Sequence, residues 1–197
     1  ISRSTRIIWL MEELGLPYEL VQHTRGADFR APPSLYDVHP LGKAPAVEVD
    51  GRVMVESSAI IEDIVDRHGG GKLLPPDDGR AEYLEWLHFA EGTLGMPMLM
   101  RLLGPRLGLA EPALGFMDAE LKKQLDWIEH QLEGKSFLCG EVFTGADINL
   151  EYLLEHAETL DLLASRPNLT RYLAALKARP AYVKAIEIGG PVTLPRS

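Results

Sequence analysis

The sequence predicts an α+β domain followed by an all-α domain, and three observations support this order. The first third of the chain alternates between helix and strand signals. A segment rich in glycine, proline and aspartate follows it, and beyond that segment the apolar residues recur only at helical spacing. We therefore expect a first domain at residues 1–70, a linker at 71–79 and a helical domain at 80–197.

Composition excludes several functional classes. The chain has 197 residues, a formal net charge of −9 and a single cysteine, Cys139. One cysteine cannot form a disulfide framework or a cysteine-built zinc site, and it favours a reducing, cytoplasmic compartment. The acidic balance disfavours nucleic acids and anionic membranes as partners, because both are bound through clustered Lys and Arg. No apolar run reaches the roughly 18 residues that would span a bilayer.

The first helix is predicted at residues 5–14. Its apolar residues follow the i, i+3, i+4, i+7 pattern of an amphipathic helix: Ile7, Leu10, Met11 and Leu14. Gly15 follows this stripe, as is typical just past a helix end. The next residues, 18–22, are interpreted as a short strand, and 24–33 as a loop.

The clearest local signal lies at residues 46–55. Valines alternate there with polar or flexible residues on both sides of Asp50 and Gly51, which is typical of a two-residue β-hairpin. An amphipathic helix should follow from residue 57 and end at the three glycines of residues 69–71.

Five helices are predicted in the second half, at residues 80–103, 111–133, 145–160, 167–178 and 181–188. Pro97 should kink or break the first of them. Thr144 and Asp147 have the spacing of a capping box, so a helix should begin there. Cys139 is placed at a helix end and is expected to be a buried, small apolar residue.

Three segments carry residue types suited to chemistry, and the first precedes the first helix. The hydroxyls of Ser2 and Ser4 lie beside unpaired helical amides and the positive end of the helix dipole. Such a position suits an anion, including a thiolate. The alternative is that one of these serines only caps the helix.

The second segment is Glu56-Ser57-Ser58, where the hairpin meets a helix N-terminus. The Ser57 hydroxyl and the adjacent amides can hold a carboxylate, while Glu56 can hold an ammonium group, so the pair suits an α-amino-acid head group. The alternative is a helix cap with a favourable acidic neighbour.

The third segment spans residues 39–45. Its prolines hold the backbone extended, so that its polar groups can pair with a peptide ligand, and Lys43 can meet a carboxylate. The alternative is an ordinary turn with a solvated lysine. Elsewhere, Met96 and Met100 can line an adaptable apolar pocket or fill the core. The six histidines show no metal-ligand spacing, so no metal is expected.

In this order, the motifs resemble those of a cytosolic glutathione S-transferase of the serine type found in bacteria and fungi. The resemblance rests on residues 2–19, 39–45, 56–60 and 167–180 and on the capping box at Thr144. It implies a thioredoxin-like domain that binds glutathione, a helical domain with a pocket for a hydrophobic electrophile, a role in detoxification and usually a homodimer. Members begin with a strand, which we expect to precede residue 1.

The resemblance also implies roles for single residues. Ser2 matches the serine that hydrogen-bonds the glutathione sulfur, although Ser4 stays an alternative. Glu56 and Ser57 match the pair that holds the γ-glutamyl head group.

The remaining roles concern the rest of the tripeptide and the second substrate. Ala44, ahead of a cis Pro45, matches the backbone that pairs with the cysteinyl part, and Lys43 is a partner for the glycyl carboxylate. Met96 and Met100 are assigned to the electrophile pocket.

The expected activity is attack of the glutathione thiolate on a hydrophobic electrophile. One hydrogen bond to a charged group contributes about 1.5–3 kcal/mol, which corresponds to roughly one to two pKa units of thiol acidification. Alternatives on the same fold are a glutathione-dependent isomerase, dehalogenase or peroxidase, and a non-catalytic protein that binds glutathione or another ligand.

Overall fold

The secondary structure follows the predicted order of an α+β part and a helical part. The computed structural model describes residues 2–24, 26, 30–76 and 78–192. The first part contains α1 (Ser4–Leu14), α2 (Pro33–Val38), β1 (Ala46–Val49), β2 (Arg52–Val55) and α3 (Ser57–His68). The second part contains α4 (Arg80–Phe89), a π turn (Ala90–Leu94), α5 (Gly95–Leu107), α6 (Glu111–Gln131), α7 (Gly145–Thr159), α8 (Pro167–Lys177) and α9 (Pro180–Gly189).

The hairpin prediction is confirmed. Strands β1 and β2 pair antiparallel, with Ala46 opposite Val55. Asp50 and Gly51 between them both have positive φ angles, of 52° and 76°. Two successive positive φ angles define the turn whose twist matches a two-stranded ribbon, and Asp-Gly adopts it at little cost.

The predicted strand at residues 18–22 is wrong. These residues form no regular secondary structure, and Val21 is 65% exposed. A strand needs a hydrogen-bonded neighbour, and the sheet formed by the described residues contains only β1 and β2. The loop predicted next includes residues 25 and 27–29, which lie outside the described residues, and α2 begins at its last residue, Pro33.

The break predicted at Pro97 occurs one turn earlier and takes the form of a π turn. Pro97 has no amide hydrogen and cannot donate to the carbonyl of Thr93, four residues before it. The chain accommodates this loss by widening at Ala90–Leu94 and then continues as α5. The helix predicted at 80–103 is therefore two helices joined by a π turn.

The capping box is confirmed and anchors α7 in the core. The Asp147 carboxylate accepts hydrogen bonds from the Thr144 amide at 2.7 Å and from its hydroxyl at 2.9 Å. It also accepts from the Leu138 amide at 3.0 Å and the Tyr172 hydroxyl at 2.7 Å. Every residue from 145 to 157 is buried, and α1, α3, α4, α5 and α8 all pack against this helix.

Cys139 differs from its predicted setting. It is half-buried and lies between α6 and α7, in an isolated bridge with Val142 rather than at a helix end. Burial raises the pKa of its thiol to about 11, so it is a weak nucleophile at neutral pH. In the part of the chain that the structure describes, no helix combines the length and apolar character needed to cross a bilayer.

Candidate functional site

Two hydroxyls lie side by side at the start of α1. Ser2 Oγ and Ser4 Oγ are 3.0 Å apart, and both residues are half-buried. Ser2 Oγ also accepts a hydrogen bond of 3.2 Å from the Ser4 amide, at the first position of the helix. The contact means that the two serines are not independent alternatives, because a ligand bound to one hydroxyl affects the other.

A buried arginine connects this helix to the start of α3. Arg6 Nη1 donates a hydrogen bond of 3.0 Å to Ser57 Oγ and a second one to the Glu91 carboxylate. Arg6 is not predicted as a site residue from the sequence, although a signal exists, since it lies one turn before Leu10 on the apolar face of α1. A charged residue on a buried face needs a partner. Burial lowers the pKa of Arg6, and Glu91 opposes this shift.

Glu91 lies in the π turn and is also missed by the sequence analysis. Besides Arg6, it accepts a hydrogen bond of 2.8 Å from Arg3 Nε. Partial burial raises the pKa of Glu91, but the two arginines outweigh it and hold the pKa below its ordinary value. Both guanidinium groups also lie against the ring of Tyr152, with their Cζ atoms at 5.4 and 4.8 Å from its centroid.

The start of α3 holds Glu56 in an unusual backbone conformation. Glu56 is exposed and has a φ of 72° and a ψ of 106°, which few residues other than glycine adopt. This conformation lets the chain leave β2 and enter α3 at Ser57 without an intervening loop. The amides of Ser57, Ser58 and Ala59 have no partner within the helix, because they belong to its first turn.

The Ser57 side chain points inward rather than to the surface. The residue is 4% exposed, and its hydroxyl lies 3.3 Å from Asn149 Oδ1 in α7 as well as bonding to Arg6. Its assignment as a glutathione-binding residue stays a prediction, and its amide, in the first turn of α3, is the group that can take that role.

Asn149 extends this network into the helical part of the molecule. Its Nδ2 donates to Ser58 Oγ at 2.9 Å and to the Leu87 carbonyl at 2.8 Å. The first turn of α3 is therefore bonded to α4 and α7 as well as to α1.

The segment before β1 has the backbone form that the resemblance implies. The Ala44–Pro45 peptide bond is cis, with Ala44 exposed and Pro45 buried. Lys43 is exposed beside them. Gly42 has a φ of 55°, and a Cβ there would lie 2.6 Å from the ring of Tyr36, so glycine is needed at this position.

The two methionines lie on α5, directly after the π turn. Met96 is 60% exposed, and Met100 is half-buried. Ser2 and Ser4 thus bond to each other, and Ser57 bonds to Arg6 of the same helix, while Met96 and Met100 take part in neither contact.

Comparison with known proteins identifies this architecture. Residues 2–67 match the family model described as the glutathione S-transferase N-terminal domain, and residues 97–180 match its C-terminal domain. Glutathione S-transferase 3 of Schizosaccharomyces pombe is 34% identical over 91% of this chain and 81% of its own length.

Solved structures of glutathione transferases resemble this chain over most of its length. A glutathione S-transferase from Actinobacillus pleuropneumoniae has a TM-score of 0.85 and 34% identity, with 95% of this chain and 88% of that chain covered. A Burkholderia graminis glutathione transferase, crystallised with two glutathione molecules per subunit, has a TM-score of 0.81 and 28% identity, with 94% and 84% covered. The fold is a thioredoxin-like domain followed by an all-α domain. The chain belongs to the glutathione S-transferase family.

Proposed function

We propose that this protein is a glutathione transferase that activates the glutathione thiol for attack on a hydrophobic electrophile. The observation that carries the proposal is the bond from Arg6 to Ser57 Oγ, which brings the N-terminus of α1 to the N-terminus of α3. Two helix N-termini side by side offer amides and positive potential to two anionic groups. Glutathione has such a pair, a thiolate and the carboxylate of its γ-glutamyl head.

Ser2 stabilises the thiolate as a hydrogen-bond donor, not as a base. When its hydroxyl turns to the sulfur, it still accepts from the Ser4 amide, which fixes the position of its oxygen. One such bond to a charged group is worth about 1.5–3 kcal/mol and lowers the thiol pKa by roughly one to two units from about 8.5. The Ser4 hydroxyl supports Ser2 and is the alternative donor.

The rest of the tripeptide lies along exposed groups of the first domain. Glu56 holds the ammonium of the head group and the Ser57 amide its carboxylate. Ala44, ahead of the cis Pro45, pairs its backbone with the cysteinyl part, and Lys43 meets the glycyl carboxylate. The exposure of Glu56, Lys43 and Ala44 supports this placement.

The electrophile occupies the apolar surface at the start of α5. Met96 and Met100 provide flexible, polarizable side chains there, and the exposure of Met96 supports contact with a ligand. The protein acts in detoxification in the cytoplasm, with domains at residues 1–70 and 80–197 and a linker at 71–79.

A homodimer is the proposed assembly. The exposed apolar side chains of Val53 on the hairpin and of Phe116 and Trp127 on α6 support it, because burying them is favourable. Sedimentation at several protein concentrations tests it.

The decisive experiment compares three serine variants. Bound glutathione is titrated by thiolate absorbance, and kcat is measured with an aromatic electrophile. In the wild type, the pKa of the bound thiol should lie about one to two units below that of free glutathione. At a pH below both values, this corresponds to about 10- to 100-fold more thiolate. Ser2→Ala should lower kcat about 10- to 150-fold with little change in glutathione affinity, and Ser4→Ala should lower it less.

Ser165→Ala is the matched control, because Ser165 is an exposed serine just before α8. It should match the wild type. A bound thiol that titrates like free glutathione contradicts the proposed activation. If Ser4→Ala shows the loss of kcat expected for Ser2→Ala, and Ser2→Ala does not, the hydrogen-bond donor is Ser4.

A further inference from the structure

The π turn at Ala90–Leu94 carries a carboxylate to the start of α1. π turns inside helices are uncommon and occur frequently at functional sites. This one holds Glu91, which accepts hydrogen bonds from both Arg3 and Arg6 although it lies 88 and 85 residues away in the chain. The π turn lies between α4 and α5 in the chain. Through Glu91 it is bonded to the start of α1, beside Ser2.

Both arginines depend on this carboxylate. Within residues 2–24, 26, 30–76 and 78–192, neither guanidinium forms an ion pair with another acidic side chain. Arg6 is fully buried, and its Nε and Nη2 atoms have no hydrogen-bond partner among the same residues. Glu91 is therefore the acid that fixes where these two side chains lie.

The two arginines connect to the two parts of the proposed glutathione site. Arg3 follows Ser2 in the chain and forms the N-cap of α1. Arg6 bonds to Ser57 Oγ at the first residue of α3. A displacement of either arginine changes the position of Ser2 or of the Ser57 amide.

We infer that Glu91 is a positioning residue for thiol activation, acting through Arg3 and Arg6 on Ser2 and Ser57. This inference rests on the proposed function. Glu91 itself does not touch the substrate, and its role is to hold the first turn of α1 against the first turn of α3.

The sign of the expected change separates positioning from simple electrostatics. Other charged and titratable groups facing the arginines are Glu56 near Arg3, Glu151 near Arg6, and Tyr152 and His156 near both. If Glu91 acted only as a negative charge, its removal would favour the thiolate and lower the thiol pKa. If it positions the donors, its removal weakens the hydrogen bond to the sulfur and raises the thiol pKa.

The test is a thiolate titration of glutathione bound to the full-length Glu91→Gln protein. We expect the thiol pKa to rise by about one unit, which leaves about tenfold less thiolate at a pH below both values. The value of kcat/KM should fall about tenfold in parallel. A thiol pKa that is unchanged or lower would overturn the inference.

Glu91→Asp is the second variant, and it provides the test if Glu91→Gln does not fold. It keeps the charge but withdraws the carboxylate by one methylene, so we expect the thiol pKa to rise in the same direction by a smaller amount. If glutathione bound to Glu91→Asp has the same thiol pKa as in the wild type, the inference is overturned. The negative charge would then maintain the thiol pKa whatever the position of the carboxylate.

Glu82→Gln is the matched control. Glu82 lies on α4 and pairs with Lys135 at 3.1 Å, away from the arginines, and its variant should titrate like the wild type. The wild-type titration keeps the two proposals apart. Failure of the wild type to acidify glutathione contradicts the proposed function, whereas an acidified wild type with no rise in Glu91→Gln contradicts only the role of Glu91.

Discussion

The carboxyl group of Glu151 is buried in the core next to Arg6 and holds its proton more tightly than an exposed glutamate does. Glu151 is 2% exposed and lies on α7, one turn before Glu155. Burial and the neighbouring Glu155 raise its pKa well above the ordinary value, and the charge of Arg6 opposes the rise only in part. Among the described residues, Glu91 rather than Glu151 forms the ion pair with Arg6.

Replacing Glu151 should change how stability depends on pH. Above pH 4.5, its ordinary pKa, the unfolded chain releases this proton while the folded protein keeps it, so wild-type stability falls as pH rises. The slope reaches about 1.4 kcal/mol per pH unit. Glu151→Gln lacks this contribution. Urea unfolding at several pH values should show the free energy of unfolding of Glu151→Gln rising relative to that of the wild type as the pH increases from about 5.

The matched control for this prediction is Glu85→Gln. Glu85 is an exposed acid on α4 that forms no ion pair among the described residues, and its removal should leave the pH profile parallel to that of the wild type. Parallel profiles for the wild type and Glu151→Gln would show that Glu151 is ionised in the folded protein and would contradict the prediction.

At the scale of elements, the start of α7 is held by one carboxylate with four hydrogen bonds. Asp147→Ala removes all of them and leaves the Leu138 and Thr144 amides and the Tyr172 hydroxyl buried without this acceptor. We expect a loss of about 3–5 kcal/mol in the free energy of unfolding. Thr144→Val removes only the cap hydroxyl and should cost about 1 kcal/mol.

Urea unfolding of the two variants checks this difference, with Tyr172→Phe as a second variant that loses a single donor. It should cost about 1 kcal/mol. Equal losses in Asp147→Ala and Thr144→Val would mean that the helix cap, not the buried network, determines the stability of this region.

Elements determined by nearby residues could be predicted, and those determined by distant partners could not. The hairpin follows from Asp50-Gly51 and the start of α7 from Thr144 and Asp147, because each signal acts over a few residues. Residues 18–22 contain strand formers, yet a strand also requires a neighbour in a sheet, which a single segment cannot reveal.

The same rule applies to the candidate site. Ser2 and Ser4 could be found because a hydroxyl before a helix is a local signal, and the cis bond before Pro45 follows from the family resemblance. The bond between Arg6 and Glu91 joins residues 85 positions apart and depends on how the π turn faces α1. Arg6 lies in the stretch 2–19 that carries the resemblance, but nothing in that stretch points to Glu91 as its partner, so the network appears only in the folded chain.

At the scale of the whole molecule, the two parts of the chain share one buried core. Helix α7 packs against α1 and α3 of the first part and against α4, α5 and α8 of the second. Helix α9 also returns to pack on α1. Because apolar burial is continuous across the boundary, we expect the two parts to unfold together rather than as independent units.

Asn149→Ala tests this shared core. Asn149 is fully buried, and its side chain bonds to Ser58 Oγ and the Leu87 carbonyl and lies beside Ser57 Oγ. Its loss should cost about 2–4 kcal/mol while near- and far-UV circular dichroism still report one coincident transition. Asn168→Ala, at a half-buried position on α8, should cost about 1 kcal/mol. Separate transitions in the wild type, or equal costs for the two variants, would mean that the boundary network does not join the two parts.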